Sequence, residues 1–304
     1  MRLKGLDLNQ LICLDVLLTE QNVSRAAKQL HLSQSAVSWT LARLRAHFED
    51  QLLVPVGRSM AVTAFAEELR EPVRDFLLRA QAIEQRRPPR EPEDFDRVIR
   101  LVASDASQSL CVFDAIHRAN EKAPNLRFEL LPVREHSSVD LKRGEIDLLC
   151  AGQGMLVDAH GESLFEDTFS CIAWSEADVL CSPLTLERYL DSYHVSVRWG
   201  LLRATTNEAM TKVAESLSYR ESVVVSNFGC IPELLIGTAK IATVPSMLAR
   251  RMASVWPLVI QQCPLEVEPL RIRAYWRSTL NSDPALLWFR GLLHDVSANI
   301  SNLD

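Results

Sequence analysis

Apolar positions recur at helical spacing through the first third of the chain. Leu8, Leu11, Ile12, Leu14 and Leu18 fall largely on one face of residues 8–18, which predicts a first helix. Ser24, a good N-cap, opens a second helix that runs to Leu30. After a short turn at His31 and Leu32, Ser33 caps a third helix from Gln34 to about Phe48. Two short capped helices joined by a tight turn make a helix-turn-helix. Its expected buried face is Ala26, Ala27, Leu30, Leu32, Val37, Leu41 and Leu44. Residues 51–62 read as two short strands around Gly57, a wing. Thr63 then caps a helix over residues 64–86, in which Phe65, Leu69, Val73, Phe76, Leu77, Ala80 and Ile83 form a heptad-like seam interrupted only by Pro72. A small head cannot cover so long a seam, so a second copy of the chain is expected against it.

A charged, proline-rich hinge over residues 86–94 marks the clearest boundary. Beyond it the pattern alternates. Residues 98–103 and 126–131 read as strands, 144–150 as a turn into a third strand, and 107–122 and 137–143 as helices. Such alternation predicts a parallel, doubly wound α/β sheet. A second set follows, with strands at 222–225 and 240–244, a helix opened by Pro245, and a final helix from Asp283 to Ser297 carrying Leu286, Leu287, Phe289, Leu292, Leu293 and Val296. The expected domains are 1–62 for the winged head, 63–90 for the linker helix and hinge, and 91–304 for a two-lobed body. In that body, one lobe takes about 95–160 and 266–304, the other about 161–265.

The formal net charge of −6 seems at odds with a nucleic-acid partner, but its distribution reverses that reading. Residues 1–90 carry 13 Lys and Arg against 10 Asp and Glu. Between Gln21 and Phe48 stand Arg25, Lys28, Arg43 and Arg45, with no acid. A basic element on an acidic body suits phosphate contact. No uninterrupted apolar stretch long enough to be an export signal or a membrane span is present, and a cytoplasmic protein is expected. The seven cysteines are scattered without metal-ligand spacing, and the seven histidines lack partners, so neither a metal nor a cofactor is expected. Nucleophile-elbow, zinc-protease and phosphate-loop motifs are missing, which argues against an enzyme.

The run from Ser24 to Arg45, with Leu52-Leu-Val and Thr63-Ala, closely resembles the DNA-binding head of LysR-type regulators. Leu141-Lys-Arg-Gly-Glu-Ile-Asp-Leu-Leu, Glu162-Ser-Leu-Phe-Glu-Asp, Ile236-Gly-Thr-Ala-Lys-Ile-Ala-Thr-Val-Pro and Asn281-Ser-Asp-Pro-Ala resemble the branch of nodulation and aromatic-catabolism regulators. Ser35, Thr40 and Ala66 depart from that pattern without altering the helix spacing. The resemblance implies a periplasmic-binding-protein-like body with a small co-inducer, in this branch an aromatic one, between its lobes. It also implies a homodimer or homotetramer on an inverted-repeat DNA operator, and contact with RNA polymerase. A solute-binding protein for transport, or a regulator that has lost its effector, are the rival readings.

On this basis the expected DNA contacts are Ser24, Arg25, Ser33, Gln34, Ser35, Ser38, Trp39, Arg43, Arg45 and, at the wing tip, Arg58. Ligands of open α/β sheets collect at strand ends facing a cleft. The expected effector contacts are therefore Ser104, Asp105, Gln153, Gly154, Arg203, Thr205, Asn227, Phe228, Tyr275 and Trp276, the aromatic rings offering stacking faces.

Overall fold

The computed structural model describes residues 5–57, 59–85, 91–152, 160–180, 182–198 and 220–300. The chain divides into two compact units, Met1–Arg86 and Arg87–Asp304. No helix among the described residues is long and apolar enough to cross a membrane.

In the first unit, helix α1 (Leu8–Glu20) opens on a reciprocal capping box. Gln10 N donates to Asp7 Oδ1 at 2.8 Å and Asp7 N to Gln10 Oε1 at 3.0 Å. Helix α2 (Val23–Gln29) is capped by Asn22, whose Oδ1 accepts from Arg25 N at 3.0 Å, and not by Ser24. Asn caps as well as Ser and comes first in an extended backbone, so the helix takes the earlier start and Ser24 falls inside its first turn. Helix α3 (Gln34–Phe48) is capped by Ser33 as its sequence predicts, with Ala36 N donating to Ser33 Oγ at 3.2 Å. Ala26, Ala27, Val37, Leu41 and Leu44 are buried. Leu32 is not. It stays 52% exposed because its backbone closes the turn, N–H to Ala27 O at 2.9 Å, and points the side chain outward.

Strands β1 (Leu53–Val56) and β2 (Ser59–Val62) pair antiparallel around Gly57, which takes φ +62° in the turn. Asp50 Oδ1 accepts from Leu52 N and from Thr63 Oγ1, both at 2.6 Å, which fixes the wing base to the start of α4 (Ala64–Gln85). Thr63 Oγ1 in turn accepts from Ala66 N at 3.1 Å. The seam of α4 splits in two. Val73, Leu69 and Leu77 pack on the head core, whereas Phe76 and Ile83 remain 44% and 74% exposed. Arg74 pairs with Asp15 at 2.5 Å and Arg70 Nη1 donates to Leu18 O at 3.0 Å, locking α4 along α1.

The second unit holds two five-stranded sheets. The first contains β3 (Arg97–Ala103), β4 (Leu126–Leu131), β5 (Leu148–Gly152), β6 (His160–Asp167) and the late strand β12 (Leu270–Trp276), in the order β4-β3-β5-β12-β6. The second contains β7 (Phe169–Trp174), β8 (Tyr193–Val197), β9 (Arg220–Val225), β10 (Ile241–Pro245) and β11 (Leu258–Gln262), in the order β11-β7-β10-β8-β9. Neither sheet is wholly parallel, contrary to the sequence expectation. Strands joined by helical crossovers, β3, β4 and β5, run parallel, while β12, which returns from the other sheet, enters from the opposite end and pairs antiparallel with β5 and β6. The chain first leaves the first sheet at Thr168, past the boundary near 161 expected from sequence, because β6 pairs with β12 along its whole length.

The helical run after β3 starts at Asp105, earlier than the expected Ser107. A short turn, α5 (Asp105–Ser107), leads through a π-helical turn, Gln108–Val112, into α6 (Phe113–Lys122). Helices α7 (Ser137–Arg143), α8 (Leu186–Asp191), α9 (Ile231–Leu235) and α10 (Ser246–Ala253) cover the sheets. The last helix, α11 (Pro284–Ile300), buries Leu286, Phe289, Leu293 and Val296; Leu287, expected in the same face, is exposed on the far side.

Candidate nucleic-acid interface and interlobe cleft

The outer face of α3 is built by its own cap and core. Val37, Leu41 and Leu44 point inward, so Gln34, Ser35, Ser38, Trp39 and Arg43 stand exposed on one side. Ser33 and Ser35 hydroxyls lie 3.0 Å apart, fixing the first turn. Trp39 is 62% exposed, and the Arg43 guanidinium carbon lies 4.8 Å from its ring centroid. Ser24 and Arg25 are exposed on α2, but Arg25 pairs with Glu20 at 2.9 Å. Arg45 is engaged elsewhere: its Nε donates to Gln51 O and its Nη2 to Leu53 O, both at 2.8 Å. That fork holds the first wing strand, so a phosphate role for Arg45 is set aside. Arg58 lies outside the described residues.

In the body, a cleft is lined by Ser104, Ser107, Leu110, Cys150, Phe165, Ile272 and neighbours, with Pro245 contributed by the second sheet. Its interior offers about 30 Å³, well below the roughly 150 Å³ of a cavity that admits benzene. The wall is apolar, with hydroxyls grouped at one end. Burial pushes the Cys150 thiol well up, so it stays neutral. Among the described residues that line the cleft there is no lysine, arginine or histidine.

Three sets of bonds span the two sheets beside it. Gly229 N donates to Asp105 Oδ2 at 2.8 Å, and Arg251 Nη1 donates to Ser109 O at 2.5 Å. Asp167, buried at the end of β6, accepts from Met247 N at 3.0 Å and so caps α10. The other oxygen of Asp105, Oδ1, is enclosed without a hydrogen-bond partner among the described residues.

Of the ten expected effector residues, the six that are described are not brought together at one site. Ser104 lines the cleft and caps α5, accepting from Ser107 N at 3.1 Å. Asp105 lies next to it in sequence and forms the bond to Gly229. Asn227 is exposed, its Oδ1 accepting from Cys230 N at 3.3 Å. Phe228 is buried in the core. Tyr275 packs with Val102, Leu141 and Leu149 on the opposite face of the first sheet. Trp276, expected to stack on a ligand ring, is 4% exposed; its Nε1 donates to Asn281 Oδ1 at 2.6 Å and the Arg290 guanidinium lies 3.4 Å from its ring centroid. The stacking partner is therefore internal. Gln153, Gly154, Arg203 and Thr205 lie outside the described residues. Phe165 and Ile272, missed from sequence, sit inside strands, where only the β6–β12 pairing reveals that they share a face with the cleft. No cluster of three metal-ligating side chains occurs among the described residues.

The profile of the bacterial regulatory helix-turn-helix protein, lysR family, matches residues 8–67, and that of the LysR substrate binding domain matches residues 92–298. The sequence is 40% identical to Nodulation protein D 2 of Rhizobium tropici over 96% of this chain and 93% of that protein. It is 36% identical to Nodulation protein D 1 of Bradyrhizobium elkanii over 100% of this chain and 97% of that one. Among solved structures, a probable transcriptional regulator of Pseudomonas aeruginosa is similar at 27% identity with a TM-score of 0.63, covering 96% of this chain and 98% of that one. ArgP of Mycobacterium tuberculosis shares the fold at a TM-score of 0.69 and 14% identity, over 96% and 98% of the two chains.

Proposed function

The chain belongs to the LysR family of bacterial transcriptional regulators, and from that premise we propose which of its surfaces do the work and on what. It is a DNA-binding regulator with an effector-binding domain, not an enzyme. The observation that carries the finer reading is the exposed, acid-free face of α3. Gln34, Ser35, Ser38 and Trp39 in its first turns enter the major groove, and Arg43 contributes phosphate contact. Two copies, paired through the part of α4 that leaves Phe76 and Ile83 uncovered, read an inverted repeat. Pairs of dimers on DNA and contact with RNA polymerase, in the cytoplasm, complete the proposal.

The effector is small, largely apolar and aromatic, and enters beside Ser104 and Ser107. An interior of about 30 Å³ does not hold a ring, so binding requires the lobes to part. That movement strains the bonds from Asp105 to Gly229 and from Arg251 to Ser109. A ligand with different affinity for the closed and parted lobes thereby biases the geometry of the assembly on DNA. An electrophoretic mobility shift on the DNA upstream of the chain's own gene tests the reading: a shift that weakens steeply with salt supports it, and no shift at any protein concentration refutes it.

A further inference from the structure

Resting on the DNA-binding reading above, we infer that Trp39 and Arg43 form a stacked pair in which the indole reads the methyl group of a thymine in the major groove. A single exposed apolar side chain is ordinary on a protein surface. Three observations set Trp39 apart. It stands in the second turn of α3, on the same outward side as Ser35 and Ser38, where a groove-facing helix meets base edges. It is the largest apolar side chain on that face, at 62% exposure. And Arg43, one turn on, holds its guanidinium 4.8 Å from the ring centroid, so one face of the indole is covered and its orientation is biased before DNA arrives.

A ring held in that way presents its free edge and other face outward. Every base edge in the major groove offers hydrogen-bonding groups, and the one apolar group there is the thymine C5 methyl. The indole edge carries a single donor, so on most base pairs it would mask polar groups without replacing their water, at a cost. Over a thymine it buries a methyl instead. Arg43, with no acid anywhere between Gln21 and Phe48 to draw it away, keeps its charge for the phosphate beside that base. Stacking thus joins a sequence reader to a positional anchor in one unit.

The test uses the full chain and a randomised duplex DNA pool. After a preferred site is selected, each thymine in a half-site is replaced in turn by deoxyuridine, which removes only the methyl. Wild type is expected to lose about fourfold in affinity at one thymine per half-site, the ratio that burial of one methyl sustains. Trp39→Ala should bind thymine and uracil duplexes equally while keeping its salt dependence, and Trp39→Phe should retain part of the discrimination. Arg43→Lys, which keeps the charge but not the planar stack, should narrow the discrimination without changing the salt slope. Equal wild-type affinity for every uracil duplex overturns the inference, as does undiminished discrimination in Trp39→Ala. If no DNA is enriched at all, the DNA-binding reading falls and this inference with it.

Discussion

On the proposed reading, the head and the cleft would meet their ligands under opposite solvation conditions. On α3 the polar and charged side chains stand in water and approach a polyanion, so their charge needs no buried partner and acts at long range. In the cleft, any charge would have to be desolvated, and the described lining residues carry none; the nearby carboxylate of Asp105 sits to one side, half engaged by Gly229 N. In the proposal, one chain divides its recognition by medium: outward electrostatics with a single aromatic reader, inward apolar fit with a few hydroxyls.

The largest effect concerns pairing. Placing Glu at both Phe76 and Ile83 should weaken dimerisation about a hundredfold or more, read as mass by light scattering against concentration, because both lie in the uncovered part of the seam. Leu69→Glu is a poor probe of pairing, since Leu69 packs on the head's own core and its loss would unfold that unit.

Next comes the anchor between the sheets. Asp167→Ala strips the N-terminal cap from α10 and should cost roughly 2 kcal/mol in urea unfolding, since a buried donor is left unsatisfied. An unchanged midpoint and slope would show that α10 is held by packing alone.

The two arginines of α3 should separate by about 1 kcal/mol effects of different kinds. Arg43→Ala should lower the slope of log affinity against log salt by about one, with stability unchanged. Arg45→Ala should leave that slope in place and lower unfolding stability by ~1 kcal/mol, through the lost bonds to Gln51 O and Leu53 O.

The smallest expected signal tests the inward half. In a thermal-shift screen, neutral phenolic compounds should raise the melting temperature by a few degrees, as native-state ligands do, while benzoates of equal size should not. Among the described lining residues there is no cation to pair with a carboxylate. The hydroxyls of Ser104 and Ser107, which do line the cleft, can pair with a phenol hydroxyl. A benzoate that stabilises the protein as well as its phenol counterpart would contradict this account.

How far these features were legible in the residues follows from the distance over which each is decided. The cap at Ser33, the wing turn at Gly57 and the buried alanines of α2 are set within a few residues, and local pattern finds them. Asn22 displaced Ser24 because two adequate caps lay two positions apart and the pattern alone does not rank them. Arg45 looks like a groove-side cation by spacing; only the wing folding back on α3 supplies the carbonyls that engage it. Trp276 follows a strand as expected, but Arg290 and Asn281, from the segment that returns over the sheet, decide which way its ring is used. The cleft is least legible of all, because Phe165 and Ile272 meet through the pairing of strands more than a hundred residues apart.

If DNA recognition resides in the first unit, as proposed, a single titration separates that unit from the rest of the chain. Fluorescence anisotropy of labelled upstream DNA is followed with the full chain and with residues 87–304 alone, across a range of salt, after circular dichroism has verified that the fragment is folded. The full chain should bind with affinity that falls steeply as salt rises, and the fragment should leave the anisotropy unchanged. Binding by the fragment as tight as that of the full chain would contradict the claim.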